Sequence, residues 1–301
     1  MILVAGGTGF IGSAVVRHLL ARGREVSVMT AHPERARARL AGLGVRMVVG
    51  DLRDPASLEL AVVGAESVVQ ATAFPNYPME RPRQGHTFEE FEARGTRRLV
   101  EAARRAGARK FVYASGVGAA PDAPRHWFRA KWEGEEAARA SGLAFAVIRP
   151  SWVYGPGDRS LNRFVAFHRW LPFVPVIGDG LQRLNPVFVE DAGEAFAQAA
   201  EPDGPQGTFE LGGPEVLTMN QILETMMEVR GRRKPLVHFP PFLPKLAGFF
   251  LQALPNPPFS PQAIDFATED AVADTTALLQ AFDLRLTPLR EALATYLAPR
   301  R

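Results

Sequence analysis

Gly6, Gly9 and Gly12 recur at every third residue between a short apolar run, Ile2-Leu3-Val4-Ala5, and an amphipathic stretch from Ser13 to Arg22. That stretch carries Val15, Val16, Leu19 and Leu20 on one face. The order is strand, glycine turn, helix. In such a turn Gly6 permits the tight reversal, Gly9 lets the backbone approach a pyrophosphate, and Gly12 lets helix pack closely on strand. The helix start then presents unpaired N–H groups and a positive dipole end to the phosphates. A second strand signal at Glu25 to Met29 completes the unit, so the spacing predicts a dinucleotide site.

The rest of the chain must position that site. Strand signals fall at Val45–Val49, Ser67–Ala71, Lys110–Ala114 and Phe145–Ile148. Helical patterns lie between them, at Pro33 to Ala41, from Asp54-Pro55 onward, at Phe88 to Ala106 and at Trp127 to Ser141. Strands alternating with helices predict an α/β fold, a doubly wound parallel (Rossmann) sheet with helices on both faces. From Pro150 the chain becomes proline-rich. A helix at Asp191–Ala200 and a strand at Gly207–Leu211 still read as parts of the sheet domain. We therefore expect a dinucleotide-binding domain over 1–155, completed by 185–214, and a smaller, mostly helical C-terminal lobe over 215–301 together with 156–184. Helices are expected there near Met219–Val229, Leu243–Leu254 and Pro288–Leu297. Substrate would bind between the lobe and the carboxyl ends of the strands.

Composition narrows the function. The 301 residues contain 47% hydrophobic residues, enough for a substantial core. There are 35 basic and 32 acidic residues, a net charge of +3, and they are interspersed, which argues against a nucleic-acid partner. With no cysteine, disulfides, thiolate catalysis and cysteine metal sites are excluded. No metal-ligand cluster or Ser-His-Asp spacing stands out. No apolar run reaches the ~18–20 residues of a membrane helix, and a chain that opens directly on a strand leaves no room for a signal peptide. The expected location is cytoplasmic, with a peripheral membrane position as the alternative.

Several stretches resemble the extended and atypical short-chain dehydrogenase/reductases, the NAD-dependent epimerase/dehydratase-like proteins. They are Val4 to Gly12, Gly50-Asp51-Leu52, Val112-Tyr113-Ala114-Ser115, Ile148 to Gly155 and Val187 to Asp191. Gly157-Asp158 with Asn162, Val189-Glu190-Asp191-Ala192 and Phe209 to Pro214 resemble more narrowly the branch related to the 39-kDa accessory subunit of respiratory complex I. The resemblance implies that Gly6, Thr8, Gly9, Phe10, Ile11 and Gly12 line the pyrophosphate, and that Asp51 and Leu52 meet the adenine. It also implies that Ala71, Thr72 and Ala73 pass the ribose and nicotinamide side, and that Pro150, Ser151 and Val153 flank the nicotinamide.

One departure changes the expected chemistry. Active members of this superfamily carry Tyr-x-x-x-Lys, with the tyrosine as general acid or base and the lysine on the nicotinamide ribose. The matching segment here is Trp127-Phe128-Arg129-Ala130-Lys131. An indole N–H donates a hydrogen bond but does not titrate near neutral pH. Tyr154 or His126 are the candidate replacement donors, and Ser115 matches the serine that polarises a carbonyl. At the end of the second strand, Thr30-Ala31-His32-Pro33 holds no acid for an NAD ribose, whereas His32, Arg35 and Arg37 stand near enough to serve a phosphate. NADP(H) is therefore favoured over NAD(H).

Three functions remain open: an NAD(P)(H)-binding sensor or assembly factor with little turnover; an active NADP-dependent oxidoreductase or epimerase acting on a small or quinone-like substrate; and a peripheral membrane or respiratory-complex docking protein. The last rests on the apolar stretch 239–259, whose other reading is a helix walling the substrate cleft.

Overall fold

The computed structural model describes residues 1–75, 77–251, 264, 265 and 268–298. Six parallel strands, β1 (Ile2–Ala5), β2 (Val26–Thr30), β3 (Arg46–Val49), β4 (Ser67–Gln70), β5 (Lys110–Ala114) and β6 (Ala144–Pro150), are joined by Gly207–Leu211. The order across the sheet is Gly207–Leu211, β6, β5, β4, β1, β2, β3. The chain therefore reverses its direction of travel between β1 and β4. In open α/β sheets, ligands bind in the crevice at such a switch point, beyond the carboxyl ends of the strands.

Both sheet faces are covered, which explains the consecutive apolar residues within the strands. β1, β4 and the first four residues of β5 are buried throughout. On one face α1 (Phe10–Ala21) and the helix Val189–Ala200 bury Val15, Val16, Leu19, Ala195 and Phe196 against Val4, Val69 and Val112. On the other, α3 (Pro55–Ala61), α4 (Thr96–Arg105) and α5 (His126–Arg139) close over Leu3, Val68, Phe111 and Val147. Asp54 caps α3 by accepting the Ala56 N–H, with Pro55 at the first helical position.

The small lobe has its own core, formed by Leu161, Val174, Val176, Ile222, Leu223, Met226 and Leu293 from the helices Leu161–Trp170, Met219–Val229 and Leu289–Leu297 and the strand Val174–Ile177. Thr218 and Gln221 form a reciprocal capping box at the start of Met219–Val229.

Two boundaries differ from the sequence reading in a way that matters. The helix expected from Phe88 is wound as a π-helix over Glu89–Gly95 before becoming α4. Thr96 lies at its end with Oγ1 3.5 Å from the Phe91 carbonyl, five residues back. Glu92, within this π-helical turn, is buried. The strand expected to end at Ile148 runs on to Pro150, because Gly207–Leu211 pairs along its whole length. The helix expected to reach Leu254 is Phe242–Leu251, and residues 252–259 of the apolar stretch lie outside the described residues.

Candidate functional site

The glycine loop closes the switch-point crevice. Gly6 has φ +83°, a left-handed conformation that suits glycine, and a Cβ there would stand 2.5 Å from the Ala71 carbonyl oxygen. The ends of β1 and β4 are thus in direct contact, with the Ala71 N–H donating to the Ala5 carbonyl at 3.0 Å. The Gly9 N–H donates to Gly6 at 2.8 Å, and Gly9 is the N-cap of α1 with no side chain capping it. A Cβ on Gly12 would collide with the Gly6 carbonyl. Thr72 Oγ1 is buried beside this turn with no hydrogen-bond partner among the described residues. A cradle open to backbone approach, an uncapped helix start and an orphan hydroxyl together fit a dinucleotide. Thr8, Phe10 and Ile11 lie on the same loop and first turn, and the Thr8 carbonyl accepts from Arg39 Nη1 at 3.0 Å. Sequence reasoning passed over Arg39, although its place on the helix Pro33–Leu40 beside the loop could have signalled it.

Asp51 and Leu52 follow β3. Leu52 is buried, while Asp51 is clamped by Arg53, whose Nη2 and Nε stand 2.6 and 3.0 Å from its two carboxylate oxygens. That clamp holds the Asp51 carboxyl below its usual range. Arg53 also donates to the Gln84 carbonyl and stacks over Phe91 at 5.8 Å. His32 caps the helix Pro33–Leu40 and stands close enough to act electrostatically on Asp51.

At the strand ends toward the other half of the crevice lie Ala71, Thr72 and Ala73, with the Thr72 N–H held by Gln70 at 2.9 Å. Pro150 ends β6. Ser151 donates its hydroxyl to the Ala271 carbonyl at 2.5 Å, and Val153 pairs with Val187 in a two-stranded ribbon.

Trp127 and Lys131 share one face of α5, and both are buried. Trp127 packs among Phe88, His126 and Phe128, at ring distances of 6.1, 5.3 and 5.9 Å. Lys131 Nζ stands 3.2 Å from Glu92 Oε2, which also accepts the Tyr113 hydroxyl at 2.7 Å. Burial beside Glu92 raises the Tyr113 phenol well above its ordinary range. Sequence reasoning missed Glu92, although it shares the helical face of Phe88, Leu99 and Ala103, because an acid in a helix reads as solvated.

Of the other candidates, Ser115 lies beside Lys131, since the Ala114 carbonyl is 3.5 Å from Nζ and a Cβ on Gly116 would stand 3.4 Å from Lys131 Cδ. Ser115 donates to Glu135 Oε1 at 2.5 Å, and Glu135 is in turn held by Arg149 at 2.6 and 2.8 Å and by Arg139 at 2.5 Å. Tyr154 is wholly buried in the small-lobe core with Phe188, and burial drives its phenol upward, so it packs there and does not serve Trp127's place. The His126 ring lies 5.3 Å from that of Trp127, with the ring planes at 73°. Its Nε2 lies 2.8 Å from Glu80 Oε2, in the loop before the π-helix. The reason is its place at the first residue of α5, where the loop approaches the helix end.

In Phe242–Leu251, Phe242, Leu243 and Leu246 are exposed. Lys245 lies between them and reaches Asp265 at 2.5 Å. No helix among the described residues is long and apolar enough to cross a membrane, and no group of three or more His, Cys, Asp or Glu among them could hold a metal.

A match to the NAD dependent epimerase/dehydratase family spans residues 2–212. The chain belongs to that family. It is 28% identical over 298 residues to NADH dehydrogenase [ubiquinone] 1 alpha subcomplex subunit 9, mitochondrial, of Arabidopsis thaliana, covering 93% of this chain and 73% of that one. It is 28% identical over 239 residues to the NAD(P)H azoreductase of Xenophilus azovorans, covering 77% and 74%. Among solved structures, gox2253 superposes with a TM-score of 0.77 at 23% identity, covering 98% of this chain and 96% of that one, a likeness of fold.

Proposed function

We propose that this family member binds a nicotinamide dinucleotide, NADP(H) in preference to NAD(H), without the usual phenol-driven proton transfer, and serves as a sensor or as a subunit or assembly partner of a larger complex. The observation that carries the reading is the buried pair at the tyrosine and lysine positions. Trp127 offers no titrating group, and Lys131 is already engaged by Glu92. Lys131 and Thr72 would hold the nicotinamide ribose, the Gly6–Gly12 loop the pyrophosphate, and Asp51 the adenine. Arg35 supplies the positive charge for a ribose phosphate, and His32 a ring nitrogen for a hydrogen bond. When bound, the nicotinamide supplies hydride chemistry; the surrounding residues bind and orient it. The relative that is named as a subunit of NADH dehydrogenase supports the partner role.

A second reading is favoured by His126. Paired with Glu80 and set against Trp127, it is a titratable donor at the edge of the aromatic cluster. Reduction of a conjugated, quinone- or azo-like acceptor would need only such a donor, or water. A relative named as an NAD(P)H azoreductase supports this reading.

The test is turnover of reduced nicotinamide with carbonyl, quinone and azo acceptors by the wild type, Trp127→Tyr and His126→Ala. The binding reading expects a silent wild type, with carbonyl reduction emerging only in Trp127→Tyr. Rapid wild-type carbonyl reduction would overturn it. Wild-type quinone or azo reduction that His126→Ala slows would establish the second reading.

A further inference from the structure

Lys131 and Glu92 form a buried ion pair beneath the carboxyl end of β5. Besides Glu92, Lys131 Nζ approaches the carbonyl of Ala114, the last residue of β5, at 3.5 Å. Glu92 is 3% exposed and Lys131 7%. Gly134, almost one turn beyond Lys131, brings α5 down on the pair; a Cβ there would stand 2.5 Å from the Glu92 carbonyl and 2.8 Å from the Tyr113 hydroxyl. The neighbouring carboxylate, Glu135, is compensated separately by Arg149 and Arg139. Within the pair, the charge of Lys131 is cancelled by that of Glu92.

Oxidised nicotinamide carries a positive charge on its ring and reduced nicotinamide does not, whereas the phosphates and riboses are the same in both. A fixed charge beside the ring thus enters the difference in affinity between the two forms. Because Lys131 and Glu92 are both buried, that contribution is weakly screened. An unpaired lysine would select against the cationic ring.

We infer that Glu92 sets the redox preference of the nicotinamide half-site: by cancelling the charge of Lys131 it lets the site accept the oxidised ring as well as the reduced one. The inference rests on the dinucleotide-binding reading above. Glu92 acts through Lys131, as a charge-setting residue that touches neither ring nor ribose. Tyr113 supports it by fixing the carboxylate.

The test is the dissociation constant of NADP+ and of NADPH, measured by calorimetry, for wild type, Glu92→Gln and Glu92→Gln/Lys131→Met. Glu92→Gln is expected to raise the ratio of the NADP+ to the NADPH constant by about fivefold or more. The double variant, neutral again, is expected to return it to within about twofold of wild type. A merely structural role would weaken both forms together and leave the ratio fixed. An unchanged ratio in Glu92→Gln, with both forms still bound, overturns the inference and leaves the binding reading standing. A wild type that binds neither form overturns both. Should the single variant fail to fold with its buried lysine unpaired, Lys131→Met provides the opposite arm. The ratio should fall below the wild-type value, and a ratio that does not fall overturns the inference.

Discussion

A side chain on Gly12 would collide with the carbonyl oxygen of Gly6, so the first turn of α1 rests directly on the loop that leads into it. The loop cannot widen without lifting the helix from β1, and its N–H groups are thereby held in place for an anion.

Gly12→Ala therefore forces the loop outward. Overpacking of this kind costs about 1–3 kcal/mol. The variant is expected to melt several degrees below the wild type and to lose dinucleotide binding, as read by thermal unfolding with and without NADPH. A variant that binds as the wild type does would show that the loop is not the phosphate cradle.

His18 ties α1 to the helix Val189–Ala200 through Glu190, at 3.2 Å, and Glu194, at 3.0 Å. The hydrogen bond to Glu190 outweighs burial and raises the imidazole above 6.5. A raised folded-state value means that the folded chain keeps the proton longer than the unfolded one. The added stability is therefore complete below pH 6.5 and disappears as pH rises through the raised value. His18→Gln removes it. The difference in unfolding free energy between wild type and variant should be largest near pH 6 and shrink above it. It should amount to no more than about 1 kcal/mol, because the ring is partly exposed to solvent. Denaturant titrations at several pH values check this, and a difference that grows with pH would contradict the sign.

The cofactor preference makes a separable prediction. His32 and Arg35 stand just beyond β2 and in the first turn of the helix after it, with Glu34 between them in sequence. Replacing both with alanine is expected to weaken NADPH binding about five- to tenfold and to leave NADH binding within about twofold. Equal loss for both cofactors would place the ribose phosphate elsewhere or remove the NADP preference.

The part of the site written in local sequence was legible. Gly6 and Gly12 declare their turn because a Cβ at either would collide with backbone, and β1 and the centres of β4 and β5 declare their double burial by consecutive apolar residues. The tryptophan at position 127 was legible as a departure from Tyr-x-x-x-Lys. What the chain did not reveal depends on geometry between distant segments. Glu92 shares the helical face of Phe88 and Leu99, but an acid there reads as solvated until Lys131 and Tyr113 are found holding it. Tyr154 sits four residues beyond Pro150 and reads as a neighbour of the nicotinamide, but the ribbon pairing Val153 with Val187 carries it into the small-lobe core. His126 meets Trp127 only because Glu80 arrives from a loop 46 residues away in sequence.

The central claim is a nicotinamide dinucleotide held over the switch point beside Trp127. It is tested most directly by titrating nucleotide-free protein with NADPH and NADH while following reduced-nicotinamide fluorescence excited through tryptophan. The account predicts saturable binding of NADPH, weaker binding of NADH, and energy transfer that falls when Trp127 is replaced by phenylalanine. Absence of binding by either cofactor would contradict it.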